Sequence, residues 1–265
     1  MSQLSKRTRV KYTMRYILLC FCLTVSQAWA NSNALYNYDT NEYITKQDVE
    51  SVHSIASITK LFTAMTVLES GAELDKRINV ECRVRGTTGK NIEMTRRDLL
   101  TVMIVASDNC AADTLANDYP NGYSSFVQAR TNLIQNMGLK NTRLHDATGL
   151  SVFNSSTVAD LITFAPIVYG NLFLRSVANL PEATVRAFRK GKENVIRVHN
   201  TNPSLYNHKE IVISKTGFTN SAGRCVLMMV KKLDYFYAVV VLGEPSVRAR
   251  TTQAERLLNY ENKRK

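Results

Sequence analysis

The chain has 265 residues, 45% of them hydrophobic, and a formal net charge of +12. That is enough apolar material for one large domain or two interleaved lobes around a well-buried core. No basic stripe and no interleaving of basic and aromatic residues accompanies the positive charge, so nucleic acid is not an expected partner, and an anionic setting such as a cell wall or lipid headgroups suits it better.

Residues 1–30 read as an export signal. Lys6, Arg7, Arg9, Lys11 and Arg15 form a basic start, Tyr16 to Val25 a short apolar run, and Ala28-Trp29-Ala30 a small-x-small cleavage pattern. The apolar run falls well short of the ~20 residues that span a bilayer. Cleavage after Ala30 is therefore expected, leaving residues 31–265, with a net charge of +7, as an exported, periplasmic catalytic domain without a stable membrane anchor. Cys20 and Cys22 lie beside large residues, unlike a lipid-attachment site. Three cysteines then remain, Cys82, Cys110 and Cys225; an odd count permits one bridge, and the preferred reading is three small buried residues.

From Ala34 to Thr45 the pattern alternates around Asp39-Thr40-Asn41-Glu42, which predicts two short strands and a turn with Asn41 in the left-handed region. Ser57 opens a helix carried by Ile58, Leu61, Phe62, Met65 and Leu68 and ending near Gly71. Gly86-Thr87-Thr88-Gly89-Lys90 imitates a phosphate loop with too few residues between its glycines and reads as a solvent-facing turn. Thr95 caps a second helix, with Asp98 in the capping-box position, and Leu99 to Val105 is apolar enough to be buried nearly all round. That run breaks at Ser107-Asp108-Asn109 and resumes at Ala111, an expensive interruption unless those side chains have partners. Further helices are predicted at about 125–137, closed by Gly138, and about 157–168. The last third turns to strands at 211–214, 225–230 and 235–242, followed by an amphipathic helix over about 251–260. The fold class is α/β (α+β): an antiparallel sheet of about five strands flanked by helices, with an inserted all-helical lobe. The sheet lobe takes about 31–56 and 195–265, the helical lobe about 57–194, and the cleft lies between them.

Three polar clusters carry the chemistry: Ser57-Ile58-Thr59-Lys60, Ser107-Asp108-Asn109 and Lys215-Thr216-Gly217. Each alone is met by chance, and each residue has a plain reading as a helix cap or a solvated strand-end charge. Their order and placement, on a helix start, a helix interruption and a strand end, favour a serine acyl-transfer site that uses lysine as its base. Lys60 lies one turn after Ser57 on the same face. Its amine must be neutral to accept the Ser57 proton; burial, the helix dipole and a second cation at Lys215 are expected to lower its pKa. The Ser57 and Phe218 amides are the expected oxyanion donors. Ser107 is placed to relay a proton to the leaving amine, Asn109 to hold a substrate amide, and Lys215 and Thr216 to hold a carboxylate, while Gly217 admits the substrate backbone. Arg248 and Arg250, just before the last helix, read as surface arginines, with a grip on a substrate carboxylate as the alternative for either. Gly-x-Ser-x-Gly and His-Glu-x-x-His are absent, and His53, His145, His199 and His208 are scattered, so no metal or cofactor is expected.

With Ile55 to Leu61, Thr95 to Leu100, Ser107-Asp108-Asn109, Thr148-Gly149-Leu150 and Lys215 to Thr219, the chain resembles the low-molecular-mass penicillin-binding proteins, the D-alanyl-D-alanine carboxypeptidase and endopeptidase family. The resemblance implies a β-lactamase/transpeptidase-like fold, acylation of Ser57 by peptidoglycan stem peptides or crosslinks ending in D-alanine, hydrolysis of the acyl-enzyme, and covalent inhibition by β-lactams. Asn41 stands where many members have glycine. With no room for a further β-rich domain or anchoring helix before Lys265, the chain is expected on the endopeptidase side, with carboxypeptidase as the alternative. A β-lactamase would need a deacylating base, for which residues 143–150 offer only Asp146 or His145. A non-catalytic wall-binding or β-lactam-sensing module is disfavoured by the intact clusters.

Overall fold

The structure is a computed structural model that describes residues 31–82, 84, 86, 88 and 91–260; the expected export signal lies outside the described residues. In chain order, β1 (Ser32–Asn37), β2 (Glu42–Gln47) and the short β3 (His53–Ser54) lead into a 3-10 turn, Ala56–Ile58, and α1 (Thr59–Glu69). Strands β4 (Arg77–Asn79) and β5 (Glu93–Thr95) precede α2 (Arg96–Val105), α3 (Asn109–Asn117) and α4 (Tyr123–Asn136). The short β6 (Ser155–Ser156), α5 (Val158–Gly170), α6 (Leu172–Val177) and the hairpin β7 (Glu182–Arg189) and β8 (Lys192–His199) follow. The chain closes with β9 (Ile211–Thr219), β10 (Gly223–Lys232), β11 (Tyr235–Glu244) and α7 (Val247–Leu258).

Both ends of the chain meet in one five-stranded antiparallel sheet of order β2-β1-β11-β10-β9. Its inner strands are buried on both faces, which is why they read in sequence as continuous apolar runs. Side chains alternate between two cores. Val226, Met228 and Val230 pack with Ala254, Leu257 and Leu258 of α7, while Cys225, Leu227 and Met229 join the core shared with the other helices. Strand β9 is an edge, hydrogen-bonded on one side only.

The predicted first hairpin is present, with Asn41 at φ 59°. Thr95 caps α2 by accepting from the Asp98 amide, and Gly138, at φ 70°, follows the end of α4. Three expectations need correction. The inserted lobe is not all helical: it carries a second antiparallel sheet of order β4-β5-β7-β8, whose outer strand is so charged that its alternation does not look like a strand. Strand β9 runs through Lys215-Thr216-Gly217 instead of ending before it: the three residues are buried and pair with Leu227, Val226 and Cys225 of β10, so the ladder carries polar side chains past the end of the apolar run. Helix α7 starts at Val247, several residues early, capped by the Ser246 hydroxyl, which accepts from the Ala249 amide.

The cysteines are also corrected. Cys82 and Cys110 form a disulfide across 28 positions, leaving Cys225 as a buried free thiol. Cys110 directly follows Asn109, so the bridge ties the start of α3 to the segment after β4. In the chain-entropy account a loop of this size stabilises the fold by about 3–4 kcal/mol. The expected solvent-facing turn is drawn to the same place. Thr88 donates through its amide and hydroxyl, each at 3.0 Å, to the Asp108 carboxylate; Thr87, Gly89 and Lys90 lie outside the described residues.

Candidate active site

The three clusters converge on one crevice. Ser57 sits in the 3-10 turn that enters α1, and Lys60 is fully buried one turn later. Lys60 Nζ lies 2.9 Å from Ser57 Oγ and 2.7 Å from Asn109 Oδ1, and it also donates to the Thr148 carbonyl. Asn109 reaches this position because the preceding residue, Asp108, caps α3 by accepting from the Ala111 amide at 2.7 Å. Across the crevice, Lys215 Nζ donates to Ser107 Oγ at 2.8 Å.

Backbone strain marks both turns. Ala56 and Ser107 carry φ of 46° and 59°, a region that non-glycine residues rarely occupy; the first precedes Ser57 and the second opens the Ser107-Asp108-Asn109 cluster. Two glycines let the surrounding chain close in. A Cβ on Gly217 would stand 2.7 Å from the Ile55 carbonyl and 3.0 Å from the Ser57 amide nitrogen, so β9 lies directly against the Ser57 backbone. Gly149, at φ 87°, would place a Cβ 2.1 Å from the Ala56 carbonyl.

Burial pulls the Lys60 amine down to about 7, against the opposing pull of Asp108 and Asp146. Lys215 is held well below the ordinary amine range by burial first, then by the charges of Lys60 and Arg250. Burial, the first of the expected causes, is the largest influence on the Lys60 amine. A neutral Lys60 keeps two N–H bonds for Asn109 and Thr148 and turns its lone pair to the Ser57 hydroxyl. This is the arrangement a serine nucleophile needs from its base.

A cavity of about 200 Å³ opens beside this pair, lined by Ser57, Ser107, Thr201, Thr216, Phe218 and Arg250 among others. Arg250 is only 4% exposed, and its Nη2 has no hydrogen-bond partner among the described residues, so it is not the surface arginine expected; Arg248 is exposed. Burial lowers the Arg250 guanidinium to about 10, leaving it cationic at neutral pH. Phe218, 44% exposed, is stacked under the Arg224 guanidinium, 3.4 Å from the ring centroid. Thr201 Oγ1 lies 2.6 Å from Thr216 Oγ1, a contact that no motif in the sequence announces.

The least legible part of the site is its support. The Asp146 carboxylate accepts from the amides of Thr148, Gly149 and Ser151 and from the Thr148 hydroxyl, and these bonds hold its pKa down against burial. Fully engaged in shaping the turn that offers the Thr148 carbonyl to Lys60, Asp146 is poorly disposed to serve as a deacylating base. Buried Arg130 on α4 fixes the same turn by donating to the Leu144 and Asp146 carbonyls at 2.8 and 2.6 Å. Among the described residues there is no cluster of His, Cys, Asp and Glu fit to hold a metal ion.

A family model described as D-alanyl-D-alanine carboxypeptidase matches residues 22–246. A D-alanyl-D-alanine endopeptidase of Escherichia coli is 32% identical over 241 residues, covering 87% of this chain and 76% of that protein. One of Pseudomonas aeruginosa is 37% identical over 216 residues, covering 78% and 69%. Among solved structures, the Streptomyces K15 DD-transpeptidase matches with a TM-score of 0.81 at 24% identity, over 89% of this chain and 97% of that one. Penicillin-binding protein D2 of Listeria monocytogenes, in its ampicillin-bound form, matches with a TM-score of 0.76 at 25% identity, over 87% and 96%.

Proposed function

We propose that this chain, which belongs to the D-alanyl-D-alanine carboxypeptidase family, is a periplasmic serine D,D-peptidase that cleaves D-alanyl crosslinks in peptidoglycan, with Ser57 as nucleophile and Lys60 as its base. The observation that carries the roles of these two residues is the 2.9 Å contact between the Ser57 hydroxyl and a buried amine held near neutrality. Neutral Lys60 takes the Ser57 proton as Oγ attacks the D-alanyl carbonyl. The Ser57 and Phe218 amides receive the oxyanion. As the C–N bond breaks, the proton that Lys60 took from Ser57 passes through Ser107 to the departing amine, so that Ser107, held by Lys215, keeps its hydroxyl and Lys60 returns to the neutral form. Water then hydrolyses the ester, with Lys60 again as base. The substrate lies along the open edge of β9, its amide held by Asn109 and its carboxylate by Lys215, Thr216 and cationic Arg250, with Gly217 admitting its backbone.

Endopeptidase activity is put first because the 32% and 37% identical relatives carry that name. Carboxypeptidase is the second reading, favoured by relatives of that name at 25% identity, one of them from Bacillus subtilis. Purified protein incubated with crosslinked dimeric and uncrosslinked pentapeptide muropeptides separates the two. Conversion of dimer to monomers is the expected result; release of free D-alanine from the pentapeptide with the dimer intact would overturn the endopeptidase reading. Penicillin labelling of Ser57 is expected on either.

A further inference from the structure

We infer that a second binding site, separate from the acylation crevice, takes a carboxylate-bearing peptide of the crosslinked substrate; this rests on the endopeptidase reading and extends it. An open cleft of about 550 Å³ lies between α4 and the following turn, lined by Thr131, Gln135, Lys140, Thr142, Arg143 and His145 among others. No aspartate or glutamate lines it, whereas Lys140, Arg143 and His145 are all exposed along it. None of these three has a carboxylate within ion-pairing distance among the described residues, so the Lys140 and Arg143 cations are left unspent for an anion. Threonine and glutamine side chains beside them suit the amides of a peptide.

The cleft is built, not incidental. The Arg143 backbone exchanges two hydrogen bonds with Ser155, at 2.9 and 2.8 Å. Asn141 N and Thr142 Oγ1 both bond to the Asp160 carboxylate at 2.8 Å. The Arg143 guanidinium is aimed by its own turn, since Nη1 donates to the Lys140 and Thr142 carbonyls at 3.0 and 2.8 Å. Pre-ordering of this kind lowers the entropy lost on binding.

Its position matches a crosslink. His145 lines the cleft, and three residues later Thr148 touches Lys60, a span of at most about 11 Å of extended chain. Next to His145 an apolar segment stands in solvent: Leu150, Val152 and Phe153 are 46%, 52% and 65% exposed, and the Phe153 ring lies 5.1 Å from that of His145. A stem peptide crossing this segment from Ser57 would deliver its free carboxylates to Lys140 and Arg143. The cleft would then grip the branch of the crosslink that the crevice does not hold, selecting branched over linear substrate.

The test compares wild type with the Lys140→Ala/Arg143→Ala double variant, both checked for an unchanged melting temperature. For a crosslinked muropeptide dimer the variant's KM is expected to rise about tenfold, with kcat changed less than twofold. Penicillin acylation should be equal in the two proteins, and a dimer with amidated carboxylates should show no difference. An unchanged KM for the dimer, or an equal rise with the amidated dimer, would overturn the inference. If wild type releases no product from any dimer, the endopeptidase reading fails instead. The cleft is then judged by fluorescence anisotropy of labelled dimer on Ser57→Ala protein: binding weakened about tenfold by the double change upholds it, and equal binding rejects it.

Discussion

Replacing Lys60 with methionine is expected to slow acylation of Ser57 by about 10²–10⁴-fold, the usual contribution of a positioned general base, in a protein that still folds. Methionine fills the buried volume and removes the amine hydrogen-bonded to the Ser57 hydroxyl. A fluorescent penicillin, followed by labelling rate and not by end-point, reads this directly. Wild-type rates in the variant would assign the base elsewhere. The same variant carries a second signature. The Lys60 pKa is about 7 in the fold and about 10.5 for an ordinary lysine, so the unfolded chain binds more protons between those values and wild-type stability rises with pH across that window. Methionine removes that part of the rise, which denaturant titrations at pH 7 and 10 would detect.

The second large effect is expected at a residue that contacts no substrate. Gly149→Ala would force a Cβ to within 2.1 Å of the Ala56 carbonyl, at a φ of 87° that alanine resists. Overpacking and strain together should destabilise the protein by about 2–5 kcal/mol. Relief requires the 146–151 turn to withdraw, taking the Thr148 carbonyl from Lys60 and lowering the acylation rate even in molecules that remain folded. The pairing of a lower melting temperature with slower labelling is the predicted outcome. A variant that melts like wild type would mean the turn is not packed as described.

What the sequence disclosed and what it concealed divide along physical lines. The central sheet was legible because strands buried on both faces are continuous apolar runs, as from Cys225 to Val230. Ser57 and Lys60 were legible because helical spacing alone puts residues three apart on one face. The β7–β8 hairpin was not, since its outer face carries Arg186, Glu193 and Arg197 and shows little apolar alternation. Arg250 was taken for a surface residue because helix α7 looked shorter than it is; burial of a charged group depends on tertiary packing, which no local pattern encodes. The Cys82–Cys110 bridge joins positions 28 apart, and only the folded chain brings them together. Asp146 and Arg130 were equally hidden, for they act through backbone groups, which have no sequence signature.

The central claim is that burial makes Lys60 a base at neutral pH. The most direct measurement is the second-order rate of Ser57 acylation by a β-lactam that does not titrate between pH 5 and 9, followed across that range. The account predicts a rate that climbs with pH and levels off, with a midpoint near 7 set by one proton on the enzyme. A rate that is flat throughout, or still rising steeply at pH 9 as an ordinary lysine would require, would contradict it.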